Sequence, residues 1–182
     1  MHRTQQELIA YLAQLPTAST EHGKVLAVFA RPQVGVRERL REAILDVEQG
    51  LIGDNWKARG SRRMADGSAH PDMQVTLMNA HVLDAIAGNP ERWALAGDQL
   101  IVDLDVSSAN LPPGTRLRAG NAILEITAQP HNGCAKFAQR YGADALAFVN
   151  TVQGREQRLR GVYARVVHSG PVREGDVIAK LA

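Results

Sequence analysis

The sequence predicts a mainly β fold, a barrel or a sandwich, with a few short helices at its periphery. Three observations support this prediction: several short β-type runs, turn residues between them, and a composition that demands an aliphatic core. Aromatic residues make up only 4% of the 182 residues, so Val, Ile, Leu and Ala must form most of the interior. Many short strands separated by turns are typical of barrels and sandwiches.

The β-type runs are spread over the whole chain. They lie at 24–32, 43–52, the first half of 74–88, 99–106, 111–130 and 159–181. The run 111–130 predicts a hairpin that turns at Gly120-Asn121. The second half of 74–88 predicts a short helix stopped by Gly88. The last run predicts a strand, a Ser-Gly-Pro turn and a final β segment.

An N-terminal helix precedes the first strand. Residues 4–15 carry apolar side chains at helical spacing, with Thr4 as the N-cap and Pro16 just beyond the end. This predicts an N-terminal helix and connection over 1–23 and a β domain over 24–182. Length and composition are those of one globular domain with an appended segment.

Two further short helices are predicted after the hairpin, CAKFAQRYG (134–142) and DALAFVN (144–150). Gly142 is expected to follow the last turn of the first helix, and Asp144 is expected to cap the second.

Composition and missing motifs exclude several classes of function. The formal net charge of +2 gives no reason to expect a nucleic-acid partner. One cysteine cannot form an internal disulfide, and neither a membrane-length apolar run nor a signal-peptide pattern is present, so a cytoplasmic protein is expected. GxGxxG after a strand, a P-loop, HExxH, CxxC and GxSxG are all absent.

The single cysteine, Cys134, is the first candidate for chemistry. Gly133 and Asn132 allow a sharp turn before it, and a helix that begins at the cysteine favours the thiolate. His131 and Lys136 add nearby basic groups. A thiolate can attack, carry sulfur or ligate a soft metal. The alternative from the local sequence is a small buried hydrophobic residue in a β-to-helix turn.

Two basic segments are the next candidates. The run WKARGSRR (56–63) contains Lys57, Arg59, Arg62 and Arg63. Such a run can bind a phosphate through arginine forks, or it can be a solvated surface loop. The run GREQRLRG (154–161) contains Arg155, Arg158 and Arg160. Its simplest interpretation is a charged loop or edge strand.

Residues 97–137 resemble the MOSC domain, named for the C-terminal domain of molybdenum cofactor sulfurase. The family has an acidic turn, an apolar strand, a hairpin like PGTRLRAGNAILEIT, and then a proline and a single cysteine followed by a basic residue. The matching positions are Pro113, Gly114, Arg116, Leu117, Arg118, Gly120, Ala122, Leu124, Glu125, Ile126, Thr127, Pro130, Cys134 and Lys136. GLIGDNWKARGSRR and the closing run 160–176 also look like family segments, so the resemblance covers about residues 24–181.

The resemblance implies a MOSC-type β-barrel and a cysteine that binds or serves a molybdenum–pterin (molybdopterin-type) cofactor. In the sulfurases the domain is tied to sulfur delivery, and in the amidoxime-reducing relatives the cysteine ligates molybdenum. Two departures stand out. Asp98-Gln99 replaces the family's Glu-Asn, which weakens any role assigned to those side chains. Gly133 stands where many members have proline, which predicts a less rigid loop before the thiol.

The resemblance therefore implies a stand-alone MOSC-type protein with Cys134 as molybdenum ligand or persulfide carrier. The residues expected to bind the cofactor are Lys57, Arg59, Arg62, Arg63, His131, Asn132 and Lys136. Two alternatives remain: a molybdenum-dependent reductase of N-hydroxylated bases or amidoximes, and a non-catalytic binding module that has lost the cofactor. A cysteine desulfurase or an electron-donor protein is the expected partner, since no PLP-binding domain has a counterpart in these residues.

Overall fold

A closed barrel of seven strands forms the centre of the molecule. The structure is a computed structural model, and it describes residues 2–14 and 17–181. The strands are β1 (His22–Ala30), β2 (Glu38–Leu40), β3 (Glu42–Asp46), β4 (Gly50–Leu51), β5 (Val75–Asn79), β6 (Leu100–Val102), β7 (Arg116–Ala119), β8 (Ala122–Ile126), β9 (Val162–His168), β10 (Gly170–Arg173) and β11 (Val177–Lys180). The helices are α1 (Gln5–Leu12), α2 (Trp56–Arg59), α3 (Ala80–Ala87), α4 (Ala135–Tyr141), α5 (Ala143–Asn150) and α6 (Val152–Glu156), with 3₁₀ helices at Pro71–Met73 and Pro90–Ala96. The predicted mainly β fold with short peripheral helices is confirmed.

The barrel strands follow the order β11-β7-β8-β9-β5-β6-β1, and β11 pairs with β1 to close the ring. The β5–β6 pair is parallel, and the other pairs of the ring are antiparallel. Strand β2 adds to the outside of β1, and β10, β3 and β4 form a separate small sheet. Burial alternates along β7, β8 and β9, as expected for strands with one face inside the barrel.

Two hydrophobic clusters divide the core. The first cluster, formed by the barrel and the small sheet, consists of Val, Leu, Ile and Ala residues, which confirms the prediction of an aliphatic core. The second cluster lies between the barrel and the helices, and it contains aromatic as well as aliphatic side chains. Its aromatic members are Phe29, Trp93, Phe137, Tyr141 and Phe148. The functional site described below lies against this second cluster.

Helix α1 begins as predicted, at an N-cap formed by Thr4. The Glu7 amide donates to Thr4 Oγ1 at 3.3 Å, and the Thr4 amide donates to Glu7 Oε2 at 2.7 Å. These reciprocal bonds form a capping box. The helix ends at Leu12, earlier than expected. Residues 15 and 16, where its end was predicted, lie outside the described residues.

The hairpin at 111–130 is confirmed as β7 and β8, which meet at the Gly120-Asn121 turn. Gly120 has a φ of 58°, and a Cβ there would lie 2.5 Å from Asp176 Oδ2 and 2.7 Å from the Pro171 carbonyl oxygen. No larger residue fits without moving the small sheet. The strand-to-helix change at 74–88 is also confirmed, with Gly88 in the left-handed conformation at the end of α3.

Three details of the secondary structure predicted for the second half of the chain are wrong. Gly142, with a φ of 93°, both ends α4 and begins α5, so Asp144 lies inside the first turn instead of capping it. Part of the run 154–161 belongs to α6 instead of a loop or edge strand. The final run forms three strands because β10 leaves the barrel to pair with β3. No helix among the described residues is both long and apolar enough to span a membrane.

Candidate functional site

Three arginines meet at the end of the Pro90–Ala96 helix. The last carbonyl groups of a helix lack partners within it, and cations are favoured there. The bonds are Arg140 Nη1 to Leu95 O at 2.7 Å, Arg160 Nη2 to Ala96 O at 2.9 Å, and Arg31 Nη1 to Gly97 O at 3.0 Å. Three consecutive carbonyls thus bring together an arginine directly after β1, one from α4 and one from the segment before β9.

Arg37 and Arg59 complete this group. A Cβ on Gly97 would lie 3.5 Å from Arg37 Nη2, so the Arg37 guanidinium lies directly over this turn. Burial lowers the pKa of Arg37, and the charges of Arg140 and Arg31 lower it further. Arg59 is the exposed member of the group, and its pKa is lowered first by partial burial and then by the charge of Arg31. The arginine cluster, as we call it here, consists of Arg31, Arg37, Arg59, Arg140 and Arg160.

Two buried carboxylates hold the arginine cluster together. Asp54 accepts from Arg31 Nε at 2.8 Å and from Nη2 at 3.0 Å, and its side chain is fully buried. Asp98 Oδ2 accepts from Arg160 Nη1 at 2.6 Å and is equally buried. Five guanidinium groups therefore face two carboxylates, and the excess positive charge favours an anion.

Several buried polar atoms at this site have no partner in the described part of the chain. They are Arg37 Nε, Arg160 Nε, Asp98 Oδ1 and His131 Nδ1. Buried donors without partners are costly and rare in folded proteins. Two of these atoms are guanidinium donors, which an anionic ligand would satisfy.

His131 lies at the inner edge of the cluster. Its side chain is only 9% exposed, its ring centroid lies 4.4 Å from that of Tyr163, and Nδ1 lies 3.8 Å from Asp98 Oδ1. Burial holds the pKa of His131 well below its usual value, and the charges of Arg160 and Arg31 lower it further. The imidazole is therefore neutral at pH 7, with one nitrogen able to donate and the other able to accept.

Cys134 is exposed and forms the N-cap of α4. Its side chain makes no capping hydrogen bond, which leaves the thiol free of a structural role in the helix. The next turns of α4 place Phe137 5.0 Å beneath the Arg160 guanidinium and Arg140 on the Leu95 carbonyl. The exposure excludes the alternative of a buried hydrophobic filler.

The backbone before the thiol is held by Asn150. The Gly133 amide donates to Asn150 Oδ1 at 3.0 Å, and Asn150 Nδ2 donates to the Gly133 carbonyl at 3.2 Å. A Cβ on Gly133 would lie 2.8 Å from Leu146 Cδ1 and 2.9 Å from Val149 Cγ2. The expectation of a less rigid loop does not match these contacts, since the glycine lets the backbone pack tightly on α5.

The structure disperses the predicted basic residues of the run 56–63. Arg59 joins the arginine cluster, and Arg63 Nη1 donates to Gln129 Oε1 at 2.9 Å, which ties the run to the loop that leads to Cys134. The charge of Lys57 affects Asp46 instead of the cluster. Hydrogen bonds from the Glu48 and Gln49 amides lower the pKa of Asp46, and the Lys57 charge lowers it further.

The remaining predicted cofactor-binding residues lie on the surface. Arg62 and Lys136 are exposed and make no side-chain hydrogen bond or ion pair within residues 2–14 and 17–181. Asn132 is also exposed and lines a cavity of about 390 Å³ together with His131.

Sequence reasoning missed Arg31, Arg37 and Arg140 altogether and placed Arg160 in a charged loop or edge strand. Each is an isolated arginine at or near the end of an element, such as Arg31 directly after β1 and Arg140 in the last turn of α4. The signal was present for Arg140, because a cation in a last turn is a known partner of free carbonyl groups.

The fold and site define a barrel protein in which helix α4 begins at an exposed thiol and contributes Arg140 to a cluster of arginines. The family model of the MOSC domain matches residues 65–179, and this chain belongs to that family, which is linked to molybdenum cofactor binding. The match contains His131, Cys134, Arg140 and Arg160, whereas Arg31, Arg37 and Arg59 lie before it. The resemblance inferred from the sequence is confirmed.

Solved structures with a similar fold include the YuaD protein from Bacillus subtilis, 16% identical, with a TM-score of 0.65 over 86% of this chain and 94% of that one. YiiM from Geobacillus stearothermophilus is 13% identical, with a TM-score of 0.61 over 88% and 75% of the two chains. YiiM from Escherichia coli is 18% identical, with a TM-score of 0.56 over 87% and 70%. These likenesses establish the fold. A search of the curated proteins found no match.

Proposed function

We propose that this protein binds a molybdenum–pterin cofactor through the arginine cluster and presents Cys134 as its molybdenum ligand or as a persulfide carrier. The observation that carries the proposal is the excess of five guanidinium groups over two carboxylates beside an exposed, uncommitted thiol. The unpartnered Nε atoms of Arg37 and Arg160 are donors of the kind that bind a phosphate.

The donor set fits such a cofactor better than a bare metal ion. Among the described residues, no group of three or more His, Cys, Asp or Glu side chains could hold a metal. The chain would supply one soft thiolate ligand, and the cofactor itself would supply the rest of the coordination sphere. When bound, the cofactor would supply the redox or sulfur-transfer chemistry.

The chain's own residues would hold and orient the ligand. Arg37 and Arg59 would bind its anionic group, with Asp54 fixing Arg31 as their neighbour. Neutral His131 can hold a proton on one ring nitrogen beside Asp98. Exposed Arg62, Lys136 and Asn132 would lie at the outer rim, and Lys57 would contribute from further away.

The experiment is to purify the protein from a host that makes the cofactor and to measure bound molybdenum and pterin. Wild type is compared with Cys134→Ala, with Arg37→Gln and with Arg118→Gln, an exposed arginine on β7 that serves as the control. We expect molybdenum to be lost in Cys134→Ala, pterin to be lost in Arg37→Gln, and both to be kept in the control. Equal molybdenum in wild type and Cys134→Ala would exclude the ligand role. Absence of both from every sample, from several growth conditions, would support the module that has lost its cofactor.

The cavity of about 390 Å³ beside His131 and Asn132 favours a second candidate, a reductase of N-hydroxylated bases or amidoximes. Such an enzyme needs room for a substrate next to the cofactor, whereas a carrier does not. The assay is the reduction of N-hydroxylaminopurine by the loaded protein with an external electron donor. Turnover that disappears in Cys134→Ala would separate the reductase from a carrier.

A further inference from the structure

The cavity beside the thiol loop has its own basic wall. His131 and Asn132 line one part of it, and Arg155, Arg158 and Gly161 line another. Among the described residues, none of those that line it is acidic. His131 thus borders both this cavity and the arginine cluster. Two arginines without a facing carboxylate favour a bound anion.

Arg158 adopts an unusual backbone conformation at this wall. Its φ of 49° is the only positive value outside glycine among the described residues. The Arg158 amide donates to the Arg155 carbonyl at 3.2 Å, and its own carbonyl accepts from the Gly161 amide at 2.7 Å. A non-glycine residue in this region persists only when its surroundings fix it, and such positions concentrate at binding sites.

The Arg158 guanidinium is positioned by backbone groups alone. Its Nη1 donates to the Leu111 carbonyl at 2.6 Å and to the Val106 carbonyl at 3.4 Å. Burial lowers the pKa of Arg158, and no neighbouring carboxylate opposes that effect. In the described part of the chain no protein group accepts from Nε or Nη2, so both donors remain available to a ligand.

We propose that this cavity is a subsite for the phosphate group of a small molecule, bound by Arg155 and Arg158 next to the thiol loop. The volume exceeds that of a bare phosphate and admits a fragment of nucleotide size. Two forked guanidinium groups match the oxygen geometry of a phosphate. Phosphate binding itself does not depend on the proposed cofactor; only the role of the bound group near Cys134 rests on the proposed function.

The test is calorimetric titration of the full, cofactor-free chain with AMP, and with adenosine as the probe that lacks phosphate. Arg155→Gln is the main variant because its side chain is exposed, and Arg158→Gln is the second, with its melting temperature measured beside wild type. Arg118→Gln is the control, and Arg37→Gln reports whether AMP binds at the arginine cluster instead. We expect AMP binding to weaken about tenfold in Arg155→Gln, with adenosine binding weakly or not at all.

Equal AMP affinity in Arg155→Gln, Arg158→Gln and wild type would overturn the subsite, as would binding lost only in Arg37→Gln or no AMP binding at all. Repeating the titration on cofactor-loaded protein identifies the source of the phosphate. Loss of AMP binding would assign the subsite to the cofactor's own phosphate, and retained binding would assign it to a separate substrate. A protein that never acquires molybdenum but binds AMP through Arg155 would refute the proposed function and keep the subsite.

Discussion

The basic run 56–63 and the arginine cluster hold similar numbers of cations in very different arrangements. The run packs Lys57, Arg59, Arg62 and Arg63 into eight consecutive residues, yet only Arg59 reaches the cluster. The members of the cluster come from the position directly after β1, the segment before β2, α2, α4 and the segment before β9. A run of cations in the sequence therefore did not indicate which cations lie together in the folded protein.

The difference follows from how each cation is held. A charged side chain in a loop gains most from solvation and turns outward, as Arg62 does. A buried guanidinium needs several fixed acceptors, and here the carbonyls of residues 95–97 and the carboxylates of Asp54 and Asp98 supply them. The comparison leads to three predictions.

The largest effect is expected for Asp54→Ala. The substitution leaves the largely buried Arg31 without its bidentate partner, and breaking a buried pair from one side costs about 3–5 kcal/mol. The free energy of unfolding, measured by urea denaturation, should fall by that amount. Glu48→Ala in the exposed turn after β3 is the control and should change it by less than about 0.5 kcal/mol. Similar losses in the two variants would contradict a cluster built on buried pairs.

A smaller effect is expected when Arg37→Gln is compared with Arg62→Gln. The two variants remove one charge each, but Arg37 lies over Gly97 with a buried, unpartnered Nε, whereas Arg62 is exposed. Hydrogen bonds to a charged ligand contribute about 1.5–3 kcal/mol, so Arg37→Gln should weaken pterin retention tenfold or more. Arg62→Gln should weaken it about twofold at most, as expected for a screened surface charge. The measurement is the amount of pterin that remains bound after dialysis. A larger loss in Arg62→Gln than in Arg37→Gln would indicate that the basic run binds the pterin.

The barrel could be predicted from sequence because its signals are local. Alternating burial, the Gly120-Asn121 turn and the helix stop at Gly88 each depend on a few neighbouring residues. The thiol at a helix start was predictable for the same reason. The arginine cluster was not, because Arg31 and Arg160 are joined only through the turn at residues 95–98, which no sequence spacing reveals. The double role of Gly142 was missed because two helices share it, and a glycine gives no sign of which helix it serves.

The third prediction concerns pH, and it tests whether the buried position of His131 beside the arginine cluster keeps its imidazole neutral. Burial and the charges of Arg160 and Arg31 keep this imidazole neutral in the folded protein, whereas the unfolded chain protonates it near pH 6.5. The unfolded state therefore binds more protons below that pH. The free energy of unfolding should decline on acidification with a contribution of up to about 1.4 kcal/mol per pH unit from this residue, and should not depend on it above pH 7.

His131→Phe keeps a ring to pack on Tyr163 and removes the titration. Urea denaturation of wild type and variant between pH 5 and 7.5 measures the two slopes, in a range above the titration of the carboxylates. His22→Asn is the control, since it removes an exposed imidazole far along the chain from His131. Parallel slopes in wild type and His131→Phe would show that the folded protein accommodates the imidazolium, with Asp98 Oδ1 at 3.8 Å as its partner. A flatter slope in His131→Phe would show that burial, with the charges of Arg160 and Arg31, keeps the His131 imidazole neutral in the folded protein.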